Sequence, residues 1–204
     1  MSLSVENVSH EYFQGNRIID DFSISLKDGE IIALVGPSGC GKTTLLHCIT
    51  GLVAPTSGRV QVDGVDVSHK KPHERGIGIM MQDQPLYEHL SVEQNIAFPL
   101  RARGQKKPDV SKLLEQLELA DIAKQKVSSC SGGERRRIAF GRSIVTKPNV
   151  LLLDEPFTSL NEELRKMMRE SIVQANVSTL LVTHDSKEAS ALCDGVIELD
   201  KLSK

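Results

Sequence analysis

A glycine-rich segment between an apolar run and a helix-forming run constrains this chain more than any other feature. Gly36–Thr43 reads Gly-Pro-Ser-Gly-Cys-Gly-Lys-Thr and follows the apolar residues 31–35. Glycines let the backbone curl until its N–H groups point inward, and a helix start adds a partial charge of roughly +0.5. We expect Lys42 to reach the β- and γ-phosphates and the Thr43 hydroxyl to ligate Mg²⁺. The pattern therefore predicts a nucleoside triphosphate site.

Strand patterns precede this segment, and strand and helix patterns alternate after it. Alternating apolar residues at 22–26 predict a half-buried strand, and a helix is expected from Lys42 to about Thr50, stopped by Gly51. The last third repeats the alternation, with strand 150–153, helix 161–175, strand 179–182, a helix capped by the Asp185-x-x-Glu188 pattern, and strand 196–199. Such alternation predicts an α/β fold with a mainly parallel sheet flanked by helices.

The middle of the chain, residues 83–143, has a different character. Ser91 and Gln94 fit a capping box that opens a helix, which Pro99 should kink or end, and leucines at 113–119 recur at helical spacing. We predict a single domain over 1–204. In it, residues 1–82 and 144–204 form a β subdomain and the catalytic core, and residues 83–143 form a helical subdomain.

Polar residues at predicted strand ends complete the candidate site. Asp154 and Glu155 follow an apolar strand whose carboxyl end should face the ligand crevice, so Asp154 suits Mg²⁺ and Glu155 suits a general base. His184 and Gln82 also follow predicted strands. Their spacing leaves two interpretations open, because a residue at this place can reach a phosphate, metal or water but is more often a solvated surface residue.

Composition excludes several other classes of function. Lys plus Arg is 25, Asp plus Glu is 27, and aromatic residues make up 3% with no Trp, so neither bulk charge nor stacking surface favours nucleic-acid binding. Residues 1–6 lack the pattern of a secretory signal, and no apolar run approaches the roughly 20 residues of a membrane span. The four cysteines show no CxxC spacing. We expect a cytosolic protein that binds no nucleic acid.

A second anion-binding helix start is predicted at Cys130–Glu134. Ser131, Gly132 and Gly133 offer a hydroxyl and exposed N–H groups ahead of an arginine-rich helix. If the helical insertion carries this segment to another edge of the sheet, it cannot easily serve the phosphate that Lys42 holds. A second copy of the protein could supply it, which would give a site completed between two subunits.

These motifs resemble the ATP-binding subunit of ATP-binding cassette (ABC) transporters over nearly the whole chain. The correspondences are Walker A at 36–43, the Q-loop glutamine at Gln82, the signature at 130–134, Walker B with its catalytic glutamate at 151–155, the D-loop at 159–161 and the H-loop at His184. Tyr12 looks like the aromatic residue that stacks on adenine. The resemblance implies a P-loop NTPase with an N-terminal antiparallel β subdomain and a helical insertion.

The resemblance also implies a set of site residues and partners. It assigns catalysis to Glu155, His184, Lys42 and Gln82, and the metal to Thr43, Gln82 and Asp154. It assigns nucleotide binding to Tyr12, Gly36, Pro37, Ser38, Gly39, Cys40, Gly41, Lys42, Thr43, Thr44, Ser131, Gly132 and Gly133. The implied partners are ATP and Mg²⁺, a second copy in a head-to-tail dimer, integral membrane permease subunits and a substrate-binding protein, at the cytoplasmic face of the membrane.

Three residues depart from the family pattern, and two of them, Glu134 and Asn161, leave the coupling between the two sites open. Cys130 and Glu134 replace the usual Leu and Gln of the signature, and Asn161 replaces the usual Asp of the D-loop. Residues 85–96 resemble importers of sugars, polyamines, iron or thiamine, so an importer is favoured over an exporter or a lipoprotein-release system. The alternatives are a soluble ABC ATPase acting on DNA or the ribosome, and a non-hydrolysing nucleotide-binding regulator.

Overall fold

The computed structural model describes residues 2–13, 15–83, 85–157, 160–199 and 202. The strands are β1 (Leu3–Glu11), β2 (Arg17–Leu26), β3 (Ile31–Val35), β4 (Ser57–Val62), β5 (Val65–Asp66), β6 (Ile77–Met80), β7 (Val150–Asp154), β8 (Ser178–Thr183) and β9 (Gly195–Glu198). The helices are α1 (Lys42–Thr50), α2 (Val92–Ala102), α3 (Ser111–Gln116), α4 (Gly132–Ile144), α5 (Glu162–Ala175) and α6 (Ser186–Leu192). This order confirms the predicted strands before the glycine-rich loop and the predicted alternation of strands and helices in the last third of the chain.

A parallel sheet with the strand order β6-β7-β8-β3-β9 forms the centre of the described structure. Every residue of β3, β7 and β8 is buried. Burial on both faces explains why β3 and β7 are nearly unbroken apolar runs. The parallel register sets Val35 opposite Thr183 and Asp154 opposite Val182, so the carboxyl ends of the three strands lie side by side. The predicted mainly parallel sheet is confirmed.

A second, antiparallel sheet has the order β2-β1-β4-β5 and contains the N-terminal strands. Leu3 and Val5 are buried while Ser4 and Glu6 between them are partly exposed, as a sheet with one covered face requires. This face and the apolar side of α1 pack against Ile32 and other residues of the parallel sheet in one core cluster. The antiparallel β subdomain that the resemblance implies is therefore present.

Residues 85–143 contain α2, α3 and most of α4, and two short 3₁₀ helices, Ala120–Ile122 and Val127–Ser129, lie between α3 and α4. The predicted capping box is confirmed, since the Ser91 hydroxyl accepts from the Gln94 N–H at 3.1 Å and the Gln94 side chain accepts from the Ser91 N–H at 3.0 Å. Pro99 does not end α2, which continues to Ala102 because Val92 and Ile96 anchor it in the main core. The division into two subdomains stays a prediction. None of the described helices is long and apolar enough to cross a membrane.

The first end of α1 depends on a glycine. Gly41 precedes the helix with φ of 104°, in the left-handed region that residues with side chains rarely adopt. A Cβ at Gly41 would also lie 3.1 Å from the carbonyl oxygen of Ile18. The loop can therefore turn into α1, and bring Lys42 to the first position of the helix, only with glycine at this place.

The other end of α1 is held by a buried arginine. Arg75 is 4% exposed, and its guanidinium donates to the carbonyls of Cys48 at 3.1 Å and Ile49 at 2.8 Å. The same side chain donates to the carbonyls of Lys70 at 3.0 Å and Ser68 at 2.7 Å. Burial lowers the pKa of the Arg75 guanidinium, yet the cation suits the negative end of the helix dipole. Arg75 thus fixes the last turn of the helix that follows the glycine-rich loop.

Replacing this guanidinium tests its role. Arg75→Met should lower the free energy of unfolding by about 3 kcal/mol, because buried carbonyls lose charged donors. Chemical denaturation measures the change. The control is Arg59→Met, which removes an exposed arginine that pairs with Glu6 on the surface and should cost less than about 1 kcal/mol. Equal losses in the two variants would contradict the assignment.

Candidate functional site

Three neighbouring strands, β7, β8 and β3, end at one edge of the parallel sheet. Asp154 and Glu155 lie at the end of β7, Thr183 and His184 at the end of β8, and the Gly36–Thr43 loop after β3. In open α/β sheets, ligands bind at this edge. The structure therefore brings together the loop, the two acids and the histidine, which the sequence predicted from separate motifs.

The Lys42 ammonium lies inside the phosphate loop and not in open solvent. Its Nζ donates to the carbonyl of Gly36 at 2.6 Å and to that of Pro37 at 2.9 Å, and Lys42 is 7% exposed. Gly39 and Gly41 have φ of 82° and 104°, which gives the loop its curl. Phosphate oxygens entering the loop would give the ammonium charged acceptors in place of neutral carbonyls, and such hydrogen bonds are roughly twice as strong.

The donor set beside the loop fits Mg²⁺. The Thr43 hydroxyl donates to Asp154 Oδ2 at 3.0 Å, so both predicted ligands meet at one point. Asp154 is 3% exposed; burial raises its pKa, while the Thr43 bond and the Lys42 charge act in the opposite direction. Hydroxyl and carboxylate oxygens are the ligands that this ion prefers, with its other positions filled by water and phosphate. No cluster of three or more His, Cys, Asp or Glu suited to a metal exists among the described residues.

Glu155 follows Asp154, the last residue of β7, and its backbone is no longer extended. Its φ is 49°, a strained value for a residue with a side chain, and its N–H donates to the Val182 carbonyl at 2.9 Å. Oε1 lies 2.8 Å from His184 Nδ1, and Oε2 accepts from the Thr183 hydroxyl at 3.3 Å. The hydrogen bond to Glu155 and its negative charge raise the pKa of His184 above the ordinary value of 6.5.

Sequence reasoning missed the residues behind Glu155. Asp185 caps α6 as the Asp185-x-x-Glu188 pattern predicted, but Glu188 turns inward and is 8% exposed. Glu188 Oε2 lies 3.5 Å from the Thr183 hydroxyl oxygen, and Oε1 pairs with Arg165 Nη1 at 3.1 Å. Burial raises the pKa of Glu188. A helix of seven residues is too short for apolar periodicity to show which face is buried, so the sequence held no usable signal.

Tyr12 lies beside the phosphate loop. Its hydroxyl is 3.2 Å from Thr44 Oγ1, and its ring meets that of His10 edge-on with centroids 4.8 Å apart. The residue is 49% exposed, so much of the ring is open to solvent. A ring that is anchored at its hydroxyl and open on one face suits the stacking of a nucleotide base.

Gln82 is placed by β6 and by the cavity beside α4. It follows β6, which neighbours β7, and it is exposed. It lines a cavity of about 190 Å³ together with Gly132 and Arg136 of α4. Within the described residues, no hydrogen bond joins Gln82 to Thr43 or Asp154. In this conformation Gln82 therefore borders the signature segment of its own chain.

Ser131–Gly133 form the exposed start of α4. The Ser131 hydroxyl accepts from the Glu134 N–H at 3.4 Å, and a Glu134 carboxylate oxygen accepts from the Ser131 N–H at 2.6 Å and its hydroxyl at 2.8 Å. This is a complete capping box. A Cβ built on Gly132 or Gly133 would meet nothing within 4 Å. Packing within the chain therefore does not require glycine at either position.

The signature segment (130–134) and the glycine-rich loop (36–43) lie beside different strands of the parallel sheet. α4 packs on α2 and on β6, the edge strand. The loop follows β3, three strand spacings from β6, or about 14 Å at the usual separation. This arrangement agrees with the expectation that the segment does not easily serve the phosphate held by Lys42 of the same chain.

The D-loop candidate is only partly described. Ser159 lies outside the described residues. Asn161 caps α5, since its Oδ1 accepts from the Leu164 N–H at 2.9 Å. An aspartate could make the same bond, so the cap does not explain why asparagine stands there.

Comparison with known proteins gives a consistent set of relatives. A family model described as ABC transporter matches residues 19–158, more than half of the chain. The chain is 39% identical over 208 residues to the sn-glycerol-3-phosphate import ATP-binding protein of Psychromonas ingrahamii, covering 98% of this chain and 56% of that protein. It is 38% identical over 207 residues to the Fe(3+) ions import ATP-binding protein of Photorhabdus laumondii, covering 98% of this chain and 59% of that protein.

A third relative is the trehalose import ATP-binding protein of Mycobacterium tuberculosis, 40% identical over 201 residues, which cover 95% of this chain and 51% of that protein. The chain thus spans little more than half the length of the curated relatives it matches.

Solved structures confirm the fold class. A nucleotide-free ATP-binding cassette from an ABC transporter superposes with a TM-score of 0.83 at 26% identity, covering 98% of this chain and 88% of that one. A dimeric ATP-binding cassette in a post-hydrolysis state, bound to ADP and phosphate, superposes with a TM-score of 0.85 at 25% identity. The match covers 97% of this chain and 94% of that one.

The contact between His184 and Glu155 predicts a pH dependence. In protein free of nucleotide and metal, His184 should titrate above 6.5, and Glu155→Gln should lower that pKa because the negative charge is gone. Since the folded-state pKa is raised, the contact stabilises the fold fully below pH 6.5 and progressively less as pH rises through the raised value.

NMR titration of the imidazole and denaturation at several pH values measure both effects. Glu162→Gln removes an exposed charge from the start of α5 and serves as the control. An imidazole pKa that is the same in the Glu155→Gln variant as in the wild type would contradict the prediction.

Proposed function

The chain belongs to the ABC transporter family, and from that membership we propose that it is the ATP-hydrolysing subunit of a membrane transporter. The observation that carries the proposal is the meeting of three strand ends. β3 brings the phosphate loop, β7 brings Asp154 and Glu155, and β8 brings His184 to one edge of the sheet. Binding and cleaving a polyphosphate needs these groups together.

The triphosphate of ATP lies in the loop in this proposal. Backbone N–H groups at the start of α1 face its oxygens, and Lys42 leaves the carbonyls of Gly36 and Pro37 to bind the β- and γ-phosphates. Tyr12 stacks on the base. Thr43 and Asp154, with Gln82 moving in from β6, would hold Mg²⁺, which supplies charge neutralisation for the transferred phosphoryl group.

Hydrolysis uses the two groups that are already in contact. Glu155 accepts a proton from the attacking water, whose oxygen bonds to the γ-phosphorus as the bond to the β–γ bridging oxygen breaks. His184 turns from Glu155 to the γ-phosphate, which is feasible because its side chain is 61% exposed. The strained backbone of Glu155 and its burial support a preorganised role for this carboxylate.

A second copy completes the site. The exposed Ser131–Gly133 segment offers helix N–H groups and unobstructed glycines, as contact with another molecule's phosphate requires. The dimeric, ADP- and phosphate-bound relative supports association of two cassettes. We infer a head-to-tail dimer in which each signature segment caps the ATP held by the other copy.

We assign the chain to the importer class. Relatives at 38–40% identity are named for import of a phosphorylated polyol, a metal ion and a disaccharide. Their identities to this chain are nearly equal although the imported substrates are chemically unrelated. Cargo choice therefore belongs to other chains, namely the permease subunits and a substrate-binding protein. The proposed place of work is the cytoplasmic face of the membrane.

A cleft supports docking of a permease. It has a volume of about 780 Å³ and adjoins the segment after Gln82. Tyr87 and Phe98, 37% and 38% exposed, line it with their rings 4.4 Å apart. Arg142 lies 5.3 Å from the Tyr87 ring centre and donates to the Pro85 carbonyl at 2.9 Å. This aromatic cleft suits an apolar helix of a permease, and its position lets movement of Gln82 reach the partner.

Two substitutions separate nucleotide binding from hydrolysis. Lys42→Ala should weaken ATP binding and abolish magnesium-dependent phosphate release, because the loop loses its cation. Glu155→Gln should still bind ATP, hydrolyse it at least about 100-fold more slowly and accumulate a dimer in size-exclusion chromatography with ATP.

Lys166→Ala, an exposed lysine of α5, is the control and should behave as wild type. The proposal fails if the wild type releases no phosphate in the presence of its permease. Binding without release would identify a non-hydrolysing regulator.

Removing one ring of the cleft tests the docking surface. Phe98→Ala should weaken retention of the permease about tenfold, since aromatic anchors dominate such interfaces, and leave ATP affinity unchanged. The control is Val173→Ala, which shortens a 52% exposed apolar residue of α5 away from the cleft. Co-purification from detergent and titration with a fluorescent nucleotide provide the two measurements. Equal retention of both variants would rule out this docking surface.

A further inference from the structure

A continuous row of polar contacts lies behind Glu155. Thr183 donates to Glu155 Oε2 at 3.3 Å, and the same hydroxyl oxygen lies 3.5 Å from Glu188 Oε2. Glu188 Oε1 pairs with Arg165 at 3.1 Å, and Arg165 Nε donates to the Leu160 carbonyl at 3.0 Å. The row therefore connects Glu155 with the backbone just before α5.

One hydroxyl proton is shared between two buried carboxylates. The Thr183 oxygen accepts from the Asp185 N–H at 3.2 Å, so its single proton can satisfy only one of Glu155 and Glu188 at a time. Both acids are at most 9% exposed, which makes their mutual repulsion strong. Arg165 provides a cation on the far side of Glu188. The ion pair with Arg165 holds the Glu188 carboxylate in place, and the proton of the Thr183 hydroxyl is then donated to Glu155.

A further cation acts on both acids. Arg136, on the helix that begins with Ser131–Gly133, is under the electrostatic influence of Glu155 and of Glu188. His184 contacts Glu155 and Arg165 contacts Glu188, while the charge of Arg136 acts on both carboxylates. Stability alone does not call for this arrangement, because replacing a buried ion pair with apolar residues is often neutral or stabilising.

We propose that Glu188, held by Arg165, is a positioning residue for Glu155. Because Arg165 holds the Glu188 carboxylate, the Thr183 hydroxyl gives its proton to Glu155 and orients that carboxylate. Arg165 also ties this assembly to Leu160. The proposal rests on the ATPase function proposed above. In this proposal the orientation of the Glu155 carboxylate depends on the segment just before α5. A shift of Leu160 would therefore move the Glu155 carboxylate.

Charge removal without loss of size tests the proposal. Glu188→Gln keeps the size but removes the charge that Arg165 holds, so the side chain can turn to Thr183 and compete for the hydroxyl proton. Arg165→Gln removes the cation. Each should lower kcat about tenfold and leave KM and the ATP dissociation constant within about twofold. The double variant should be no slower than either single variant, because both remove the same support. Glu188→Asp, which keeps the charge, should recover part of the lost kcat.

Crystal structures of the nucleotide-free variants give a readout that does not depend on turnover. In Glu188→Gln and Arg165→Gln, the Glu155 carboxylate should move out of hydrogen-bond distance of Thr183. Matched controls come from the same helix: Arg169→Gln removes an arginine that pairs with Asp194 at 3.7 Å, and Glu170→Gln removes an exposed carboxylate. Both controls should keep wild-type kcat and an unmoved Glu155.

The outcomes are distinguishable. A kcat within twofold of wild type in Glu188→Gln, or an unmoved Glu155 in its crystal structure, overturns the positioning role. A parallel loss of kcat, nucleotide affinity and thermal stability also overturns it, because that pattern marks a general structural role. If the wild type itself releases no phosphate, the ATPase function fails, and the crystal structures still decide whether Glu188 orients Glu155.

Discussion

The side-by-side pairing of β7, β8 and β3 is the constraint on which the site depends. These strands are buried on both faces, so their apolar side chains fix the register, and a slip by one residue would turn every side chain to the opposite face. With the observed register, Asp154 lies opposite Val182, and Val35 opposite Thr183. The polar residues that follow the strands therefore meet at one edge of the sheet.

Four charged side chains are buried at this edge of the sheet. Their burial strengthens electrostatic interactions in the site but also costs folding free energy. Lys42, Asp154, Glu155 and Glu188 are each at most 9% exposed, and an unpaired charge in such a place would be strongly destabilising. Lys42 is satisfied by loop carbonyls, Asp154 by Thr43, and the two glutamates by Thr183 and nearby cations. A polyphosphate that enters exchanges these modest contacts for stronger ones, and it does so where little water screens them.

The sequence predicted those parts of the structure that depend on local spacing. The glycine-rich loop before α1, the acids at the end of β7 and the caps at Ser91 and Asp185 each occupy a few consecutive residues, and the structure has these local features at the predicted places. Contacts between distant segments were not predicted. Arg75 binds carbonyls that lie 26 and 27 residues earlier in the chain, and Glu188 meets Arg165 only because α5 and α6 pack together. Spacing within a motif carries no information about such pairs.

Glu134 shows how a departure from the family pattern changes a contact without removing it. Its carboxylate completes the cap on Ser131, and the hydrogen bonds to Ser131 lower the pKa of Glu134, so this acid stays ionised at neutral pH. In the proposed dimer, a phosphate oxygen must draw the Ser131 hydroxyl away from a charged acceptor. A neutral amide at this position would hold that hydroxyl less tightly and repel the phosphate less. The helix N-terminus offsets part of the repulsion, so closure remains feasible but should be weaker and more sensitive to salt than with glutamine.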